Sequence, residues 1–187
     1  MLITEQVNCN SHQRDRHQRH QDTHRREAAA LRMMRHHART GTIAFCTDLA
    51  DEYVRKLYRS YGAGTASTPR RRGKTPQQID CLIRNADVQR QAAILAGAMV
   101  TCGLLDDGDI QKTSEPCQTA ERLCDALEAY ANLLPTPALD FEHAWVLWHA
   151  LLRSKELRLG ACEACAALIV VDCYSPRARP CPWCSHR

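Results

Sequence analysis

Aromatic side chains are scarce in this 187-residue chain: Phe, Trp and Tyr make up 5% of it, with only two Phe and three Trp. The apolar positions fall mostly to Ala and Leu, which favour helix by intrinsic propensity, so a mainly α fold is expected. Long apolar runs are missing too. None approaches the roughly 20 residues that span a bilayer, and residues 1–27 are polar where a secretory signal would carry an apolar centre. Location in the cytoplasm, with no membrane partner, is the expectation. Signatures of catalysis are also lacking: the chain has no phosphate-binding glycine loop, no His-Glu-x-x-His and no paired-carboxylate constellation, and the expectation is a protein that is not an enzyme.

Cysteine, by contrast, is plentiful. There are eleven, an odd number, and four of them form two Cys-x-x-Cys pairs near the carboxyl end, Cys162/Cys165 and Cys181/Cys184. Each such turn aims two sulfurs at one centre, and two turns together supply the four thiolates of a closed structural zinc site. Closed means that no coordination position is left for chemistry. Disulfides, a redox dithiol and a rubredoxin-like iron centre are the competing readings of the same four residues. Disulfides need an oxidising compartment, and a redox dithiol needs one pair where this chain has two. The other seven cysteines read as reduced thiols, with Cys102, Cys117 and Cys124 as small buried hydrophobes.

The net charge of +4 hides an asymmetry, since residues 1–74 hold 15 Lys/Arg against 7 Asp/Glu, while residues 75–187 hold 10 against 14. A basic amino-terminal part suits a polyanion such as nucleic acid, and suits a solubilising tail equally well. Residues 1–26 contain a His/Gln/Arg-biased stretch without apolar periodicity, read as a disordered tail whose His12, His17, His20 and His24 are solvated. Order is expected from residue 27, where Ala30, Leu31, Met34 and Ala38 share a helical face.

Residues 27–61 then read as a helix-turn-helix region. Thr47 or Asp48 is placed to cap the second helix, Asp51 and Glu52 lie in its first turn, and Val54, Leu57, Tyr58 and Tyr61 form its apolar face. Arg55, Lys56 and Arg59 take the outer face, where a recognition helix would meet DNA; an ordinary helical hairpin with a solvated basic face has the same pattern. Residues 62–76 form a basic loop rich in helix breakers, with Arg70, Arg71, Arg72 and Lys74 as candidate phosphate contacts. Residues 77–160 give a helical core of three blocks, 78–102, 119–134 and 141–157. In the last, Trp145, Trp148, Leu152 and Glu156 fall near one stripe, with Val146, Leu147 and Leu151 beside it, and the wide apolar face is expected to be buried. His143 and His149 lie on different faces of this helix and read as core or boundary residues. Residues 161–187 form the four-cysteine zinc module, with 168–171 as one strand of a zinc-ribbon hairpin.

The order of these parts resembles the FlhC family of bacterial flagellar transcriptional activators. The local matches are Thr47-x-Leu49 followed by Lys56-Leu57-Tyr58, and Ala144-Trp145-x-Leu147 running through Leu157-x-Leu159 into Cys162-x-x-Cys165 and Cys181-x-x-Cys184. The resemblance implies a zinc-containing DNA-binding subunit that acts with an FlhD partner in a hetero-oligomer and recruits RNA polymerase to flagellar promoters. Cys162, Cys165, Cys181 and Cys184 would be its zinc ligands. The competing expectation is a zinc-ribbon protein-interaction subunit that never touches DNA.

Overall fold

From Ile3 to Arg35 the sequence contains neither proline nor glycine, and it forms one helix of 33 residues, α1 (Ile3–Arg35). The structure is a computed structural model that describes residues 3–61, 78–105, 115–153, 156–175 and 181–184, with side chains from residue 18 onward. The expected disorder of residues 1–26 differs from this helix. Its carboxyl-terminal third supplies the nucleus by docking Ala29, Ala30, Met33 and Met34 in the core. Extending a nucleated helix costs little per residue, so the polar sequence before it continues the helix with residues 18–25 exposed. At the other end His37 adopts φ 61°. The Ala38 N–H then reaches the Met33 carbonyl at 3.0 Å and the His37 N–H the Met34 carbonyl at 3.0 Å, a Schellman stop.

Two short helices follow, α2 (Thr40–Thr47) and α3 (Asp51–Tyr61), joined by three residues. Neither Thr47 nor Asp48 caps α3. The Thr47 hydroxyl turns back to the Ile43 carbonyl at 2.7 Å, and Asp48 ends α2 in the left-handed region while pairing with Arg26 at 3.0 Å. Val54 and Leu57 are buried as expected. Tyr58 is half-buried, its hydroxyl donating to the Ala38 carbonyl, and Tyr61, expected on the apolar face, is 59% exposed.

The first core block divides into α4 (Asp80–Ile83) and α5 (Ala86–Thr101) because Asn85 turns extended and caps α5, accepting from the Val88 N–H at 2.9 Å. Helix α5 is alanine-rich and central: Ala92, Ala93, Leu95, Ala96 and Met99 are buried where it packs on α6 (Pro116–Leu133), α7 (Phe141–Arg153) and the hairpin. Small side chains let these neighbours approach closely, and each fully buried Leu, Met or Phe between them contributes about 1.5–3 kcal/mol. A polar tie crosses the same core. Tyr130 donates to Gln91, and the Tyr130 oxygen accepts from the Ala138 and Leu139 N–H groups at 3.2 and 3.3 Å, fixing the loop before α7.

In α7 the buried stripe is Phe141, Ala144, Leu147 and Leu151, while Trp145, Trp148 and Leu152 sit half-buried at its edge and Glu156 is exposed beyond the helix. The helix stops at Arg153, short of the expected 157, and Leu157 instead opens a strand. β1 (Leu157–Ala161) pairs antiparallel with β2 (Leu168–Asp172), in a register that sets Leu159 opposite Val170. Leu157 and Val170 are fully buried, and Gln89 of α5 donates to the Val170 carbonyl at 3.0 Å. The base of the hairpin is thereby locked to the helical core, and its tip lies between Ala161 and Leu168.

Candidate metal centre

That tip is the first Cys-x-x-Cys. Cys162 follows β1 directly, and the chain reverses over the six residues 162–167 before β2 begins. The Cys162 N–H donates to the Ala167 carbonyl at 2.9 Å and the Ala166 N–H to the Cys162 carbonyl at 2.8 Å. Ala166 sits at φ 56°, a left-handed conformation that this tight reversal demands. The second pair closes a smaller turn, with the Cys184 N–H on the Cys181 carbonyl at 3.2 Å.

Two side chains seat this second knuckle against the rest of the fold. Trp183 Nε1 donates to the Leu168 carbonyl at 3.1 Å, and Arg90 Nη1 of α5 donates to the Pro182 carbonyl at 3.3 Å. The Trp183 ring also forms one wall of an apolar cleft of about 350 Å³, with Ile94, Gly97, Leu133 and Leu168.

The four sulfurs converge. All lie within 4.8 Å of one another, with Cys162 Sγ 3.9 Å from Cys184 Sγ and Cys165 Sγ 3.8 Å from Cys181 Sγ. A disulfide would need about 2.05 Å, and all ten described cysteines are free thiols. A tetrahedron with metal–sulfur bonds of about 2.3 Å has sulfur–sulfur edges of about 3.8 Å, so the cluster has the dimensions of a four-thiolate metal site. The electrostatics agree. N–H groups of Ala164 and Cys165 point at Cys162, and with the Cys181 thiol they hold it down to about 7. Hydrogen bonding with Cys165, ahead of burial and the other two sulfurs, pushes Cys184 up to about 12. Four such neighbours resist ionising together unless a cation at their centre balances the charge.

Among the described residues this is the one group of three or more His, Cys, Asp or Glu side chains so arranged. His143 instead pairs with Asp140, Nδ1 to Oδ1 at 2.5 Å, and His149 packs edge-on to Trp145 at 4.8 Å between ring centres. Cys117 and Cys124 are buried as expected, and Cys102 is half-buried. Burial pushes the thiols of Cys46 and Cys124 up to about 12, which makes them inert.

The basic candidates are divided. Arg55, Lys56 and Arg59 are exposed along α3, with Arg55 3.6 Å from Asp51; Arg70, Arg71, Arg72 and Lys74 lie outside the described residues. Part of the remaining amino-terminal charge is answered within the chain. Arg25 meets Glu121 at 2.6 Å, and Arg32 meets Asp125 at 2.7 Å and Glu128 at 2.9 Å, all on α6.

Sequence reasoning passed over Glu142, Arg90 and Trp183. For Glu142 the available signal was a carboxylate set between Phe141 and Ala144 on an apolar helix; Arg90 and Trp183 gave none, because their roles depend on how the hairpin docks. No protein-family model matches the chain, and comparison with curated proteins finds no match.

Proposed function

We propose that this chain is a zinc-stabilised, non-catalytic subunit of a DNA-binding transcriptional activator, FlhC-like in role, working in the cytoplasm with an FlhD-like partner to bring RNA polymerase to flagellar promoters. The observation that carries the reading is the closed four-sulfur cluster at the tip of a hairpin, with the second knuckle packed beside it, as in a zinc ribbon. Four thiolates leave no ligand position for substrate, so the metal serves the fold. The nucleic-acid part of the reading rests on α3, which follows α2 after three residues as a recognition helix does and carries Arg55, Lys56 and Arg59 outward.

One observation favours a second reading, a protein-interaction subunit with no DNA contact. Arg25, Arg26 and Arg32 are engaged by Glu121, Asp48, Asp125 and Glu128, so part of the basic excess is neutralised inside the fold. A gel-shift titration over a salt series, with the partner present, decides between them. Salt-sensitive affinity for a flagellar promoter fragment, lost in Arg55→Ala/Lys56→Ala/Arg59→Ala while partner binding persists, supports the activator. No promoter affinity with the partner present, or an affinity insensitive to salt, supports the interaction subunit. Elemental analysis giving one zinc per chain tests the metal; iron would point to electron transfer instead.

A further inference from the structure

Cys165 is exposed, and Cys162, Cys181 and Cys184 are each only half-buried, so the four-sulfur cluster lies open to small solutes. The sulfurs also meet across the knuckles, Cys162 with Cys184 at 3.9 Å and Cys165 with Cys181 at 3.8 Å. We infer that the centre is a peroxide-responsive site, in which oxidation by four electrons, two for each disulfide, expels the metal and replaces it with two disulfides between the knuckles, Cys162–Cys184 and Cys165–Cys181. The inference rests on the metal reading above.

The chemistry balances with hydrogen peroxide as the oxidant. In each pair one thiolate attacks a peroxide oxygen, the O–O bond breaks, and a sulfenic acid and hydroxide form. The second thiolate then attacks the sulfenic sulfur, making the S–S bond and releasing a second hydroxide. Over both pairs, four thiolates become two disulfides, two peroxides and four protons become four waters, and the divalent cation departs.

Pairing across the knuckles has a structural consequence that pairing within them lacks. It holds residues 181–184 on the hairpin, keeping Trp183 on the Leu168 carbonyl. Disulfides within each knuckle would leave that segment tied to the hairpin and α5 by the Trp183 and Arg90 hydrogen bonds and by the packing of the Trp183 ring, with no covalent link between the knuckles. Oxidation would then change the module from metal-held to covalently held without releasing the second knuckle. The buried thiols Cys46, Cys117 and Cys124 provide an internal reference that stays reduced.

The test uses the full chain, its metal content measured first, with Cys173→Ser in parallel to remove the nearby exposed thiol. Hydrogen peroxide is titrated while released metal is followed with a chromogenic chelator, and a non-reduced tryptic digest is mapped by mass spectrometry. Cleavage after Arg177 leaves Cys162, Cys165 and Cys173 on one peptide and Cys181 and Cys184 on the other, so in Cys173→Ser only disulfides between the knuckles join the two. Expected is release of the metal at about two equivalents of peroxide, with the joined peptides in both proteins. Metal retained under peroxide that oxidises Cys173, disulfides confined within each knuckle, or release abolished by Cys173→Ser would each overturn the inference. A chain purified without metal overturns the metal reading itself, whereas a loaded centre that withstands peroxide overturns only this step.

Discussion

Glu142, 1% exposed in the first turn of α7, accepts a 2.8 Å hydrogen bond from the Arg39 backbone N–H at the entrance to α2. Its other oxygen accepts from the Thr42 hydroxyl at 3.2 Å. Helix α2 has no side-chain cap of its own, so a carboxylate about 100 residues away in sequence serves its amino-terminal donors and its dipole. Glu142→Ala leaves those donors without an acceptor in a partly buried place and is expected to cost about 1–3 kcal/mol. Glu142→Gln keeps an acceptor and should cost clearly less. Urea unfolding of both variants checks this, and equal losses would show that packing, not the acceptor, sets the effect.

The same helix stop is built twice with different residues. His37 at φ 61° ends α1, and Gly103 at φ 68° ends α5, each followed by the hydrogen-bond pattern of a Schellman motif. A residue with a Cβ is strained there, by roughly 1–2 kcal/mol, whereas glycine is not, although glycine carries more entropy in the unfolded chain. His37→Gly is therefore expected to stabilise by about 0.5–1 kcal/mol, and Gly103→Ala to destabilise by about 1 kcal/mol. Thermal unfolding of the two variants should move in opposite directions.

Helical character and the four-sulfur cluster were legible in the sequence because both are local: Ala- and Leu-rich periodicity in one case, Cys-x-x-Cys spacing in the other. What escaped depends on distant partners. The helix over residues 3–26 has no apolar face to announce it and extends from a docked end. β1 was hidden in Leu157-Arg158-Leu159, which continues a helical pattern until Val170 and Gln89 claim the strand edge. The tryptophans of α7 suggested the buried stripe, yet Phe141, Ala144, Leu147 and Leu151 take it, and Trp145 and Trp148 sit half-buried at its edge.

Two histidines link stability to pH. Burial lowers His36 below its usual 6.5, opposed by its contact with Glu128 and assisted by Arg32 and His37; burial and then Arg153 lower His149. Each stays neutral in the fold at pH values where the unfolded chain takes up a proton. Stability is thus full above about pH 6.5 and falls as pH drops through the unfolded and then the folded value. Unfolding midpoints measured from pH 7.5 to 5 should decline, and less steeply in His36→Gln/His149→Phe. An identical slope in that variant would assign the acid sensitivity elsewhere.

Charge on α1 and charge on α3 should separate by function. Arg25 and Arg32 join α1 to the acidic face of α6 through largely solvent-accessible pairs, each worth about 0.2–1 kcal/mol. Arg25→Ala/Arg32→Ala is expected to lower stability modestly and to leave the salt dependence of the proposed DNA binding unaltered. Arg55→Ala/Lys56→Ala should do the reverse, reducing the slope of log affinity against log salt by up to about two with little change in stability. Parallel gel-shift and denaturant series report both quantities.

On the metal reading proposed above, removing the ion should loosen the tip of the hairpin and spare the rest. A two-stranded hairpin is marginal by itself, and the metal's binding free energy acts as folding free energy for the segments it joins. Here, however, the base of the hairpin has other support: Leu157 and Val170 are fully buried and Gln89 holds the Val170 carbonyl. With a strong chelator, the Cys162 and Ala166 amides, whose hydrogen bonds shape the first knuckle, should lose protection from hydrogen exchange. Trp183 should leave the Leu168 carbonyl and shift its fluorescence to the red. The Leu104 and Ala38 amides, which close the two helix stops, should exchange as before, and the helical circular dichroism should change little. Loss of protection at all four amides would mean that the metal holds the helical core as well, and that Leu157 and Val170 do not anchor the hairpin without it.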